Sequence, residues 1–186
     1  MRLSIIYHSG YGHTARVAEH VSKGALTVEG LQTHLVAVDN NGQIKEEEWD
    51  LLNQSDGIVF GSPTYMGSAS GPFKVFMDQS SKPWFQGLWK DKLAAGFTNS
   101  GSLSGDKLST LLQLAIFGAQ HGMILVGNHV ATQGRKEEDI NRISSYLGLM
   151  TQSDDLPADQ TPPSGDIKTA EIFGDRIAKT LKRFKN

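Results

Sequence analysis

The run Ile5-Ile6-Tyr7-His8-Ser9-Gly10-Tyr11-Gly12-His13-Thr14-Ala15-Arg16-Val17-Ala18 constrains the fold more than any other stretch of the chain. Leu3 to Tyr7 is short, apolar and partly β-branched, and reads as a strand buried on both faces. Ser9 to His13 carries two glycines, which permit a tight turn and a close backbone approach. From Thr14 onward Ala15, Ala18, Val21 and Ala25 recur at helical spacing. The first N–H groups of such a helix are free, and its dipole favours an anion at the turn. Ser9 and Thr14 add hydroxyls, and no Lys or Arg lies between them. An anion would be held here by backbone dipoles and hydroxyls. The alternative is a plain strand–turn–helix with no ligand. The Walker pattern is absent, which argues against a nucleoside triphosphatase.

The rest of the chain repeats the alternation. Strands are expected at Leu31–Val38, Asp56–Gly61, Leu93–Thr98 and Met123–Val126. Glu46-Glu47-Glu48 reads as a solvated helix start, and Pro72 opens a helix through Phe73, Val75, Phe76 and Met77. Lys107–Ala119 reads as a buried helix. Ile167, Ala170, Phe173, Ile177, Leu181 and Phe184 mark a closing amphipathic one. Asn128–Gly165 is mostly irregular by pattern, with an apolar group at Ile140–Met150 and prolines at 157, 162 and 163. That segment is expected to lie on the surface beside the site. Short two-sided strands alternating with helices imply an α/β, three-layer sandwich. Its five-stranded parallel sheet is expected in the order 2-1-3-4-5, as one domain over 1–186. In that architecture a ligand sits outside the carboxyl ends of the strands, where the strand order reverses.

Three loops leave those ends: Ser9–Thr14, Ser62–Gly67 and Thr98–Gly105. All are rich in Ser, Thr and Gly, and none holds an Asp or Glu. Turn formers alone would explain the composition, but not why all three lie on one side.

The residues Ile6-Tyr7-His8-Ser9-Gly10-Tyr11-Gly12-His13-Thr14 resemble the FMN-phosphate loop of flavodoxin-like proteins. The Tyr-Gly-His triplet is closest to WrbA-type NAD(P)H:quinone oxidoreductases. Gly61-Ser62-Pro63-Thr64-Tyr65-Met66-Gly67 resembles the loop of that family that touches the isoalloxazine ring, and Asn99–Ser104 matches its third FMN loop by position. The likeness covers roughly residues 2 to 127. It implies FMN binding by Ser9, Gly10, Tyr11, Gly12, His13 and Thr14, by Pro63, Thr64, Tyr65, Met66 and Gly67, and by Asn99, Ser100, Gly101, Ser102, Leu103 and Ser104. Trp84 corresponds to a substrate-side tryptophan of the family, and Gln120-His121-Gly122-Met123 resembles its active-site histidine segment. The resemblance therefore makes His121 the catalytic candidate, with Tyr11 and Trp84 facing the substrate. By residue type alone, His121 and Trp84 could equally be core packing. Tyr65-Met66 stands where the family usually has Arg-Phe. The insertion between the second and third strands is short, so a homo-oligomer like the family's stays open.

Other chemistries are less well supported. The chain of 186 residues has a net charge of −2 and no cysteine, so nothing marks nucleic acid as a partner and disulfides or thiolate sites are excluded. The histidines show no metal-ligand spacing with acidic partners, so no metal is expected. Gly67-Ser68-Ala69-Ser70-Gly71 lacks the central serine of a hydrolase elbow. No apolar run is long enough for a membrane span, which favours a cytoplasmic protein without membrane insertion. Two functions lead, with a flavin-binding regulatory or docking protein as a third reading. One is an FMN-dependent reductase passing two electrons from NAD(P)H to a small quinone-like acceptor. The other is a flavodoxin-type one-electron carrier between protein partners, for which a strongly acidic surface would be expected.

Overall fold

A computed structural model describes residues 1–185. In chain order the elements are β1 (Arg2–His8), α1 (His13–Ala25), β2 (Gln32–Val38), α2 (Glu46–Gln54), β3 (Gly57–Tyr65), β4 (Ser68–Ala69), α3 (Gly71–Gln79) and α4 (Ser81–Phe85). They continue as β5 (Leu93–Ser100), α5 (Lys107–Gln120), β6 (Ile124–Leu125), β7 (Leu149–Gln152) and α6 (Ser164–Lys185). The sheet runs β2-β1-β3-β5-β6, and every pairing along it is parallel. This is the expected flavodoxin-like order.

Strand periodicity divides the core into two halves. Ile5, Val59 and Phe97 point to one face and pack with Val17, Val21, Phe173 and Ile177 of α1 and α6. Ile6, Ile58 and Phe60 point to the other and pack with Phe73, Phe76, Trp89, Leu114 and Phe117. A strand covered on both sides has no polar face, so these segments carry continuous apolar runs.

Two details depart from the sequence reading, and both bear on the site. The fifth strand position is filled twice. β6 pairs with Leu93 and Ala94; the chain then leaves the sheet and returns as β7, pairing Phe97–Ser100 with Leu149–Gln152. The irregular 128–165 segment therefore contains a sheet strand, and Leu149 is fully buried. Second, the expected loop at Ser62–Gly67 is mostly strand. Ser62 and Pro63 pair with Thr98 and Asn99, and β3 turns directly into β4. Met66 (φ 48) and Gly67 (φ 77) occupy the turn, with the positive φ at both central positions that suits a twisted two-residue hairpin.

Candidate functional site

β1 delivers the chain to the edge of the sheet, and Gly12 at φ 90 turns it into α1. That conformation is costly for any residue with a Cβ. Ser9 Oγ accepts the Ala15 N–H at 3.1 Å, and the Gly12 carbonyl accepts the Arg16 N–H at 3.0 Å. Among the described residues the His13 and Thr14 N–H groups have no protein acceptor, so they stay available at the positive end of the helix. Thr14 is buried directly beneath them. Arg16, the first cation after the turn in sequence, donates instead to the Ala158 carbonyl.

The carboxyl ends of β1, β3 and β5 enclose a cleft of about 420 Å³. Of the expected residues, Tyr11, His13, Thr14, Pro63, Thr64, Tyr65, Asn99, Ser100 and Gly101 line it. Tyr11 and Tyr65 meet edge to face, with centroids 6.3 Å apart. Burial first, and the Tyr11 hydroxyl second, hold the Tyr65 phenol above its ordinary value, so it keeps its proton at neutral pH. The Thr64 hydroxyl is engaged inward, with Thr98 at 2.8 Å and Thr110 at 2.7 Å, and it locks β3 to β5 and α5. Asn99 Oδ1 accepts from Thr151 at 2.8 Å and Ser153 at 3.1 Å. These bonds orient the Asn99 side chain against β7 and leave its amide N–H groups for a ligand.

Ser9, Gly10 and Gly12 shape the first turn and do not themselves line the cleft. Ser102 and Gly67 do not reach it, and Met66 stands fully exposed at the hairpin tip. Leu103 and Ser104 face a different groove, between α5 and the Arg142–Leu147 segment. Trp84 and His121 lie far from the cleft within this chain. They sit beside the C-terminus of α5, at the amino ends of the strands, about 20 Å along the helix from its start. His121 stacks on Trp89 at 4.2 Å, and its Nε2 lies 2.9 Å from Ser80 Oγ. Because Ser80 Oγ donates to the Met77 carbonyl, its oxygen accepts the His121 Nε2–H, and Nδ1 is left buried without a partner. The Trp84 indole donates to the Gln120 carbonyl at 2.9 Å.

Burial pushes the His121 imidazole down from 6.5 to about 4. Between those values the unfolded chain takes up a proton that the folded one refuses, so stability rises with pH across that window. The contribution is present above pH 6.5 and is lost on acidification towards pH 4, worth about 3 kcal/mol at full extent. In urea unfolding followed from pH 7 to 4.5, His121→Phe is expected to flatten this part of the profile. An unchanged profile would show that other groups carry it.

Sequence reasoning missed the fourth wall of the cleft. Ser153, Asp154, Asp155 and Leu156 follow β7 and line it. The His13 ring bonds the Leu156 carbonyl through Nε2 at 2.8 Å and ties this wall to the first turn. Behind it lies a buried network. Arg142 Nε donates to Asp166 Oδ1 at 2.8 Å, and Arg142 Nη2 to Gln152 Oε1 at 2.8 Å. Gln152 N donates to Asp166 Oδ2 at 2.8 Å, and Gln152 Nε2 to the Gly101 carbonyl at 3.0 Å. The three loops hold no carboxylate, but the cleft does, because β7 brings Asp154 and Asp155 to it. The only available signal was the short apolar pair Leu149-Met150 before a polar run, too brief to separate strand from loop.

A helix N-terminus with free N–H groups and no cation, at the strand-order reversal of a parallel sheet, fits a phosphorylated planar cofactor. The comparisons with known proteins agree. A flavodoxin, FldP, of Pseudomonas aeruginosa is 42% identical, over 94% of both chains. An NAD(P)H dehydrogenase (quinone) of Syntrophobacter fumaroxidans is 27% identical, over 98% of both. The crystal structure of a flavodoxin, WrbA-like protein from Agrobacterium tumefaciens superposes with a TM-score of 0.78 at 39% identity, covering 98% of each chain. The family described as NADPH-dependent FMN reductase matches residues 1–137. This chain belongs to that family of flavodoxin-like, FMN-binding oxidoreductases.

Proposed function

We propose that the chain binds FMN in the cleft and passes two electrons from NAD(P)H to a flat, quinone-like acceptor. The observation that carries this reading is the asymmetry of the cleft. Tyr11 and Tyr65, at the ends of β1 and β3, are the aromatic residues of the lining, while Asn99, Ser100 and Gly101, at the end of β5, contribute none. The two rings stand at 74° to each other, so a planar ligand would stack on one of them and keep its other face open to a second planar molecule. Bound FMN supplies the redox chemistry, and the protein binds, orients and sets the charge around it. The His13 and Thr14 N–H groups hold the phosphate. The Ser9 hydroxyl keeps the turn closed, and the Asn99 amide, fixed by Thr151 and Ser153, donates to the cofactor's polar edge. The protonated Tyr65 hydroxyl would be available as a donor to the ligand.

A second reading, a one-electron carrier, is favoured by the exposed Asp154 and Asp155 at the rim, which would steer basic protein partners, and by the name of the Pseudomonas relative. One experiment separates the two: steady-state oxidation of NADH and NADPH by FMN-loaded protein, with and without a benzoquinone. The reductase reading expects quinone-dependent turnover. Tight FMN binding with no NAD(P)H oxidation would overturn it in favour of the carrier.

A further inference from the structure

Lys107 opens α5 and is 0% exposed. Gly105 and Asp106, both at φ 53, reverse the chain so that this first helical residue sends its side chain back under the preceding loop. Its Nζ donates to Ser100 Oγ at 2.9 Å and to the Ser102 carbonyl. Ser100 Oγ in turn donates to the same Ser102 carbonyl at 3.1 Å. The Ser100–Ser102 turn is thus closed around an ammonium. Gly101, at its centre, is held from the other side by Gln152 Nε2.

Among the described residues no carboxylate forms an ion pair with Lys107. The buried charges around it are Arg142, from the segment before β7, and Asp166 of α6, and these two satisfy each other. The cluster of Lys107, Arg142 and Asp166 therefore carries one excess positive charge in the protein interior. Asp154 and Asp155, the other charged groups nearby, stand exposed at the cleft mouth, and Asp106 precedes Lys107 in the chain. Burying an ammonium against neutral acceptors is costly, and a methionine would fill the same space without that cost. The charge lies behind the cleft wall: Ser100, its direct partner, and Gly101 both line the cleft, and Lys107 itself does not.

We propose that Lys107 is a positioning residue of the cofactor cleft: its buried ammonium holds the Ser100–Ser102 turn in the shape that lines the cleft, and places positive charge one hydrogen bond behind that wall for an anionic flavin nucleotide. The proposal rests on the reading that FMN occupies this cleft. Burial lowers the Lys107 ammonium from 10.5 to about 8, an effect that Arg142 reinforces and Asp166 opposes. The protonated form is therefore complete at pH 7 to within about a tenth and is mostly lost by pH 9.

The test is FMN binding to the apoprotein, followed by quenching of flavin fluorescence between pH 7 and 9. In the wild-type protein Kd is expected to rise roughly fivefold between pH 7 and 9, as one charge behind the wall is lost from the free protein before it is lost from the complex. Lys107→Met is expected to bind roughly tenfold more weakly at pH 7 and to show no step. Lys92, at the opposite end of β5, also titrates near pH 8, so Lys92→Met is the control and should keep the step. A flat wild-type profile, or a step that survives in Lys107→Met, overturns the role of Lys107. If circular dichroism shows that Lys107→Met does not fold, the wild-type and Lys92→Met profiles decide by the same criterion. Absence of FMN binding by the wild-type protein at every pH is a different result: it overturns the cleft assignment itself, and the proposal with it.

Discussion

Asp166→Leu is expected to cost the apoprotein about 3–5 kcal/mol of folding stability. Asp166 and Arg142 are both almost completely withdrawn from solvent, and their bond is two-pronged, at 2.8 and 3.2 Å. Removing one partner strands the other's charge in the interior, and here it also adds to the uncompensated Lys107. The same carboxylate accepts the Gln152 N–H, so β7 loses an anchor at the same stroke. A domain of this size has roughly 5–15 kcal/mol in hand, so the loss is a large share of it. Urea unfolding at pH 7 measures the effect. Replacing both partners, Arg142→Met with Asp166→Leu, should recover much of the loss, because an apolar pair removes the desolvation penalty along with the attraction. A loss below about 1 kcal/mol in the single variant would mean that water reaches the pair and that the network does not hold the wall of the cleft.

Thr14→Glu is expected to abolish FMN binding while leaving the weaker binding of riboflavin nearly unchanged. Thr14 is buried at the start of α1 and lines the cleft beneath the free N–H groups. A carboxylate about 6 Å from a phosphate dianion, at an effective dielectric of ~20, opposes it by roughly 5 kcal/mol, or several decades of Kd. No Lys or Arg lines the cleft to offset this: Arg16 is committed to the Ala158 carbonyl, and Lys107 stands behind the Ser100–Ser102 turn. The added charge suits the helix itself, because an acidic group near an N-terminus favours the dipole. Thr14 is buried, so circular dichroism first verifies that the variant folds. Paired FMN and riboflavin titrations isolate the phosphate: equal losses for both ligands would point to steric disruption, and unchanged FMN affinity would remove the phosphate from this turn.

Much of the architecture was legible because its physics is local. A strand buried on both faces is predominantly apolar, and Leu3–Tyr7, Asp56–Gly61 and Leu93–Thr98 announce themselves in that way. The first turn was legible for the same reason. Two glycines between a buried strand and an amphipathic helix leave little choice but a tight cradle at the helix N-terminus. What lay beyond local pattern was decided by partners distant in sequence. The residues 149–152 become a strand because the edge of β5 offers Phe97–Ser100 unpaired N–H and C=O groups, and a run of four is too short to declare its own period. The acidic fourth wall of the cleft, the buried Arg142–Asp166 pair and the contact of Gln152 with Gly101 all depend on that pairing. Trp84 and His121 show the converse. Their residue types fit an aromatic site, but a helix that runs antiparallel to its strands carries whatever follows it to the amino ends of the sheet, so within one chain only topology decides how far they stand from the cleft. The sequence by itself determined the strand alternation, the two-sided apolar patterning of the strands and the tight turn into α1, since each is written in the pattern of a few neighbouring residues. The tertiary structure alone decided which carboxylates and which buried ammonium surround the cradle, because those charges meet only when the ends of β5, β7, α5 and α6 are brought together.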